Sequence, residues 1–282
     1  DGTYRRVDNN PQTIRLPPNG NATQKEIDAA LEMRLAYVET PDRSLNARTR
    51  AGLFGLSNIL RLRTSVEPAD PHSVDLETDA LELYPLIYLN IPDSMPPLSD
   101  TAIAHLNTYL RSGGALVIDT RAGGTIGTQT DVTRLETLLE GLDAPPLQTV
   151  GENHVLTRTF YLLDDFPGRY AQRNLWIEQA GDASAPRGDG VSRLIIGDAD
   201  WASAWAVDEQ GRDLYSVDGG AQQREMARRF GVNLVMYVLT GNYKDDQVHI
   251  PALLERLGNG DEEQLDESPV RLPTRIPDGG PQ

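Results

Sequence analysis

The stretch SGGALVIDTRAGG, Ser112–Gly124, runs from a glycine turn through four apolar residues directly into Asp119, Thr120 and Arg121. A carboxylate, a hydroxyl and a guanidinium are thereby delivered to the mouth of a buried strand, with glycine amides beyond them. In an open α/β sheet, ligands bind at the carboxyl ends of the strands, so Asp119 and Arg121 facing that crevice could hold an anion or orient a reacting group. The alternative is local: Asp119 caps a turn and Arg121 is solvated.

Three other stretches carry groups able to do chemistry. His154 opens the apolar segment HVLTRTFYLL and is followed by Arg158, Asp164, Asp165 and Arg169. A histidine near carboxylates can serve as a base or a metal ligand. His72, His105 and His249 are scattered, however, so a structural imidazole is the competing reading, and His105 reads as a surface or boundary residue of its helix. GDADWASAWA, Gly197–Ala206, leaves a strand with Asp198 and Asp200, whose oxygens suit a hard cation such as magnesium or calcium. Asp and Gly after a strand are also ordinary turn chemistry, and the two carboxylates share a face only if the strand continues. Trp201 and Trp205, at i and i+4, read as a helix face packed into the core. LLDDFPGRY reads either as a loop over the crevice or as a turn set by Pro167 and Gly168, with Asp165 bonding the backbone.

Composition removes several classes. The chain has no cysteine, which excludes disulfides, thiolate zinc sites and a cysteine nucleophile, and leaves the redox compartment open. The net charge of −16 argues against nucleic acid or an anionic lipid surface as partners, since both need a concentrated basic face. Lysine occurs only at Lys25 and Lys244, and no phosphate-binding GxxxxGK[ST] loop is present. The longest apolar runs, LIYLNI and NLVMYVL, are far too short to span a bilayer, which takes roughly 20 residues.

Periodicity supplies the elements that must position these groups. QKEIDAALEM reads as a helix feeding the strand Leu35–Val38, and Asn46–Leu60 reads as a helix whose leucines cover a sheet. RTSVEP is expected to return as the second strand. YPLIYLNIP, Tyr84–Pro92, has the apolar continuity of a strand buried on both faces, and it carries Asn90 toward the same crevice. Ser99 caps a helix stopped by Gly113, and Ala115–Ile118 follows as a strand, implying a right-handed parallel crossover. Asp131–Leu142 is an amphipathic helix, HVLTRTFYLL, NLWIEQ and Leu194–Ile196 are strand candidates, and a last core helix is expected to end at Gly241. The division is an extended lead-in over 1–23, an α/β domain over 24–258 and an acidic, flexible tail over 259–282.

Several of these runs, among them RLAYV, GLFGLSNILRLRTSVEP, LSDTAIAHLNTYLRSGGALVIDTR and GVNLVMYVLTGNYKDDQVHIPALLERLG, resemble the bacterial domain of unknown function 4159, over roughly Leu31–Gly258. The resemblance implies a three-layer α/β fold with a mostly parallel sheet, similar to the class I glutamine amidotransferases and thus flavodoxin- or Rossmann-like. It also implies a place at the end of a membrane protein similar to the aerotolerance-operon (Bat) proteins, and no established activity. In amidotransferases of that fold the nucleophile follows a strand placed as Ala115–Ile118 is here, where Asp119 and Thr120 stand instead. Neither replaces a histidine-activated thiolate, so glutamine hydrolysis is not expected.

Two readings follow. One is a non-catalytic module that binds a small ligand, other parts of its parent membrane protein or envelope proteins, through Asn90, Asp119, Thr120, Arg121, His154 and Asp198. It would use no cofactor, nucleic acid or direct lipid contact, and would face the periplasm with residues 1–23 as tether. The other is a hydrolase with His154 as base and Asp119 or Asp198 orienting it or holding a metal, with Asp200 as a further metal candidate and Thr120 as a further catalytic one. The second requires these side chains to converge on one substrate position.

Overall fold

In a computed structural model of the chain, residues 23–121, 129–171, 175–179 and 191–258 are described. The lead-in up to residue 22, the glycine loop that follows Arg121 and the tail from 259 lie outside them. Thr23 opens α1 (Gln24–Leu31) with a capping box: its hydroxyl accepts from Glu26 N, and the Glu26 carboxylate accepts from Thr23 N. After β1 (Arg34–Val38), Asp42 caps α2 (Arg43–Arg63) by accepting from Ser44 N and Leu45 N. Next come β2 (Ala69–Val74), β3 (Leu86–Asn90), α3 (Asp100–Arg111), β4 (Ala115–Asp119), α4 (Gln129–Leu138), β5 (Leu147–Thr149), β6 (Leu175–Glu178), β7 (Leu194–Gly197), α5 (Trp201–Trp205) and α6 (Gly220–Gly258).

The strands form one sheet in the order β2-β1-β3-β4-β7-β6-β5. Neighbours from β2 to β7 are parallel, whereas β6 is antiparallel to β7 and β5 to β6. In order of succession the parallel strands read 2-1-3-4-5, the flavodoxin-like winding, with its switch point between β1 and β3. Alternation sorts the strand residues into two cores. Tyr37, Tyr88 and Val117 join α2, α5 and α6 on one face, while Val38, Leu89 and Ile118 meet α1, α3 and α4 on the other. By the same alternation Asn90 and Asp119 point to the α2/α5 face.

The parallel core strands appear where their apolar runs place them, because a strand covered on both faces must be apolar throughout. Ser99 caps α3 and Gly113 takes the left-handed turn, as expected. Four other elements differ from the expected ones. The second strand is Ala69–Val74 rather than RTSVEP, whose Arg63 still belongs to α2. This is the sheet's edge, where Pro71 and polar residues are tolerated and the apolar signal is lost. HVLTRTFYLL is a 3-10 turn at Val155–Thr157 followed by a loop. The amide of fully buried Asn233 donates to Leu156 O and Tyr161 O and accepts from Tyr161 N, replacing the ladder bonds of a strand. The exposed edge strand β5 stands where a loop was expected. Finally, α6 continues past Gly241 to Gly258, since a lone interior glycine costs only about 1 kcal/mol relative to alanine.

The short helix α5 packs directly on α2. A Cβ on Gly55 would lie 2.0 Å from Trp205 O, and one on Gly52 would lie 2.4 Å from Ala202 O, so both glycines permit backbone contact. Trp201 and Trp205 are fully buried beneath this contact, as their i, i+4 spacing predicts, and donate to Phe166 O and Ala227 O. We predict that Gly55→Ala destabilises the chain by about 1–3 kcal/mol through overpacking. Gly151→Ala, whose Cβ would meet nothing within 4 Å, should stay within about 0.5 kcal/mol. Equal urea midpoints for the two variants would refute the close approach.

Candidate functional site

At the carboxyl edge of the sheet, Asp119 ends β4 with 0% exposure. A buried carboxylate is tolerated only when its oxygens are met by donors. Oδ2 accepts from the Tyr88 hydroxyl at 2.6 Å and from Trp201 N at 2.8 Å, and Oδ1 accepts from Arg121 N at 2.9 Å and Asp200 N at 3.2 Å. Arg121 and Asp200 each have φ 54°, the left-handed region that non-glycine residues avoid, and they are the only such residues among those described. Both turns aim a backbone N–H at the same oxygen. Asp119 therefore fastens β3, β4 and the β7–α5 connection together, and its carboxylate faces no open crevice.

Burial, and after it the nearby Asp200 carboxylate, pushes the Asp119 carboxyl up to about 7; the donors from Tyr88, Trp201 and Arg121 oppose this without cancelling it. Burial and the adjacent Asp119 likewise hold the Tyr88 phenol well above its ordinary value.

Thr120 donates its N–H and, more weakly, its hydroxyl to Gly197 O at 2.9 and 3.4 Å, so it pairs with β7 rather than with a base. The Arg121 guanidinium turns toward the β3–α3 loop, donating to Ile91 O at 3.0 Å and facing Asp93 at 3.7 Å. β7 stops at Gly197, so Asp198 and Asp200 are not paired by strand alternation, and both are buried. Asp200 Oδ1 accepts from the Ser203 hydroxyl at 2.7 Å. Its Oδ2 faces Arg48 Nη1 at 3.9 Å and Arg169 Nη1 at 3.6 Å. Two guanidinium cations thus stand where a metal bound to Asp200 would sit, and among the described residues no group of three or more metal-ligating side chains forms.

His154 is not brought to this edge. Its Nδ1 accepts from Leu156 N at 3.2 Å, its ring packs edge-on against Tyr237 at 5.6 Å, and burial lowers its pKa. The start of α6 is at the edge, where Gln223 donates to Gly168 O and Arg169 O. Tyr237 lies farther along the same helix, about 21 Å from Gln223 at roughly 1.5 Å per residue. The convergence that a His154–Asp119 or His154–Asp198 hydrolase requires is therefore not assembled.

LLDDFPGRY does reach the edge. Asp165 Oδ1 accepts from Phe166 N, and Gly168 passes so close to Ala199 O that a Cβ would lie 2.3 Å from it. Arg169 N and Tyr170 N then donate to Asp200 O and Ala199 O. This docking carries the Arg169 guanidinium over Asp200. The opposite wall comes from α2, where Thr49 accepts from Asn90 Nδ2 at 3.1 Å and Arg48 lies over the Tyr215 ring at 4.8 Å.

The profile of a family described as Domain of unknown function (DUF4159) matches residues 34–239. The chain belongs to this family. The matched region of the DUF4159 domain runs from the first residue of β1 into α6 and contains every residue of the carboxyl edge named above. No curated protein matches the chain. Among the described residues, no helix of this DUF4159 domain is long and apolar enough to cross a membrane.

Sequence reasoning missed Arg48, Thr49 and Tyr88. The polar side chain of Tyr88, two residues before Asn90 in a strand buried on both faces, was the one available signal for the Asp119 cluster. Arg48 lies in a helix rich in arginine and carried none.

Two outcomes follow from the geometry of Asp119. Tyr88→Phe removes one donor to the buried carboxylate and should cost about 1–3 kcal/mol. Because the folded carboxyl holds its proton up to about 7 rather than the ordinary 3.8, its stabilising contribution is full below that ordinary value. It is then lost as pH rises to about 7. The stability of the wild type minus that of Asp119→Asn, from urea titrations, should fall across this window and level off above it. A flat difference would mean that the carboxyl ionises normally.

Proposed function

We propose that this domain is a non-catalytic binding module whose ligand or protein partner docks at the carboxyl edge of the sheet. The supporting observation is the state of Asp119. On a glutamine amidotransferase-like scaffold, the strand equivalent to β4 would deliver the nucleophile, whereas here it ends in a carboxylate enclosed by four donors. Thr120 hydrogen-bonds β7, His154 is held at the far part of α6, and the chain has no cysteine, so no activated nucleophile is available at the edge. The walls of the edge, built by α2, β3 and the loop carrying Arg169, retain polar groups suited to recognition.

In keeping with the resemblance to Bat-like membrane proteins, the domain would be the water-facing part of a membrane-anchored bacterial envelope protein, on the periplasmic side. Its acidic surface would keep it off anionic lipid. The expected result with glutamine is no ammonia release above a buffer blank; release abolished by Thr120→Ala would sink the non-catalytic reading. For location, alkaline phosphatase fused to the end of the full-length parent should be active, and a cytoplasm-dependent fluorescent protein at the same place should be dark. The reverse pattern would put the domain in the cytoplasm.

A further inference from the structure

The carboxyl edge holds polar groups that the fold itself does not satisfy. Asn90 is 2% exposed, and its Oδ1 is buried without a hydrogen-bond partner. The amide's orientation is determined by its neighbour: the Thr49 hydroxyl donates to Leu45 O at 2.8 Å, so toward Asn90 it can only accept. Nδ2 therefore faces Thr49 and Oδ1 is left as an orphan acceptor. A buried acceptor without a donor is destabilising, and a ligand carrying a donor would relieve it.

Beside it stand two guanidiniums with donors to spare. Arg48 Nε is buried without an acceptor. The closest approaches of Arg48 and Arg169 to Asp200 Oδ2, 3.9 and 3.6 Å, exceed hydrogen-bond distance. Both side chains keep part of their surface in water, 24% and 32%. Tyr215 lies under Arg48 at 4.8 Å and Tyr170 under Arg169 at 5.8 Å, which limits where each planar fork can point. One carboxylate between two guanidiniums leaves a single positive charge on the pair. Asp119 opposes an anion weakly below about pH 7, where its buried carboxyl keeps its proton.

These groups form a closed circuit. Asn90 pairs in register with Asp119, Asp119 accepts from Asp200 N, Asp200 faces Arg48, and Arg48 precedes Thr49, which accepts from Asn90. The circuit adjoins the switch point between β1 and β3, where this winding leaves a crevice. We propose that Arg48, Arg169 and Asn90 form a receptor for a small oxyanion that also carries a hydrogen-bond donor, such as a hydroxycarboxylate or hydrogen phosphate. The two forks take the oxyanion, for which planar guanidinium is geometrically matched, and Asn90 Oδ1 takes the donor. The proposal rests on the binding reading above and gives it a ligand class.

The test uses the 282-residue chain and two pairs of probes, glycolate against acetate and inorganic phosphate against sulfate, followed by calorimetry and thermal unfolding. The second probe of each pair lacks the donor. At least one donor-bearing probe should bind and raise the melting temperature, and its partner should bind roughly tenfold more weakly or worse. Arg48→Gln and Arg169→Gln should each weaken binding by about tenfold or more. Arg48→Lys keeps the charge opposite Asp200, so it should fold as the wild type does, yet it should also bind more weakly because the fork is lost. Asn90→Leu should erase the discrimination within each pair.

No binding of any probe at about 10 mM to the folded wild type would overturn the receptor, as would affinity unchanged in Arg48→Lys and the Gln variants. Unchanged discrimination in Asn90→Leu would overturn the role of Asn90. The ammonia assay with glutamine separates the two proposals: release above the buffer blank would defeat the non-catalytic reading and leave the receptor standing, whereas absence of probe binding would defeat the receptor alone.

Discussion

The buried carboxylate of Asp119 is the group around which the carboxyl edge of the sheet is organised. An ion taken out of water at this depth costs several kcal/mol unless every lone pair finds a donor. Four donors are gathered from three separate parts of the chain: a phenol on β3, one N–H after β4 and two successive N–H groups after β7. Two of them are available only because Arg121 and Asp200 adopt left-handed backbone, at a strain on the order of 1–3 kcal/mol each. Gly197 is required by the same arrangement, because a Cβ there would lie 2.0 Å from the Trp201 ring that follows the turn. The backbone irregularities of this edge thus share one electrostatic cause.

Once Asp200 is held in that turn, the position of the flanking arginines depends on α2. The backbone contact between Gly52 and Gly55 and the α5 carbonyls brings α2 close enough for Arg48 to face Asp200 and for Thr49 to meet Asn90. A bulkier helix face would lift both residues off the sheet. The opposite arginine is placed by Gly168, whose close approach to Ala199 O lets the loop donate two N–H groups to the same turn. Close backbone packing, rather than long side chains reaching inward, therefore builds the walls of the carboxyl edge.

This explains which parts of the molecule were legible in the sequence. β1, β3, β4 and β7 were legible because strands buried on both faces leave unbroken apolar runs, and α3 because its cap and stop residues are local. The edge strands β2 and β5 were not: ADPHSV and LQT are polar, and their strand character comes only from a neighbour's hydrogen bonds. Nor was the turn at Val155–Thr157, whose apolar residues suggest a strand while Asn233, far along the chain, takes over its backbone groups. Asp119 could be singled out from its place after an apolar run, but not its state, since that depends on Tyr88 and on two left-handed turns that no local pattern announces. Arg48 and Asp200 are brought together by packing alone, and packing leaves little trace in one-dimensional order.

The charge of the whole chain bears on how the edge can recognise anything. At −16 the surface repels small anions over distances comparable to the Debye length, so long-range steering works against an oxyanion ligand. Attraction must then come from within a few ångströms, where guanidinium forks half-covered by aromatic rings act in a lower dielectric than bulk water. An exposed lysine on the same surface would be screened and outnumbered, and the chain has almost none. Under this balance a bare anion gains little on reaching the edge, whereas one able to donate to Asn90 relieves a buried acceptor as well. In the receptor proposed above, selectivity thus comes from an unsatisfied neutral group, Asn90 Oδ1, while the arginines decide only which charge is admitted.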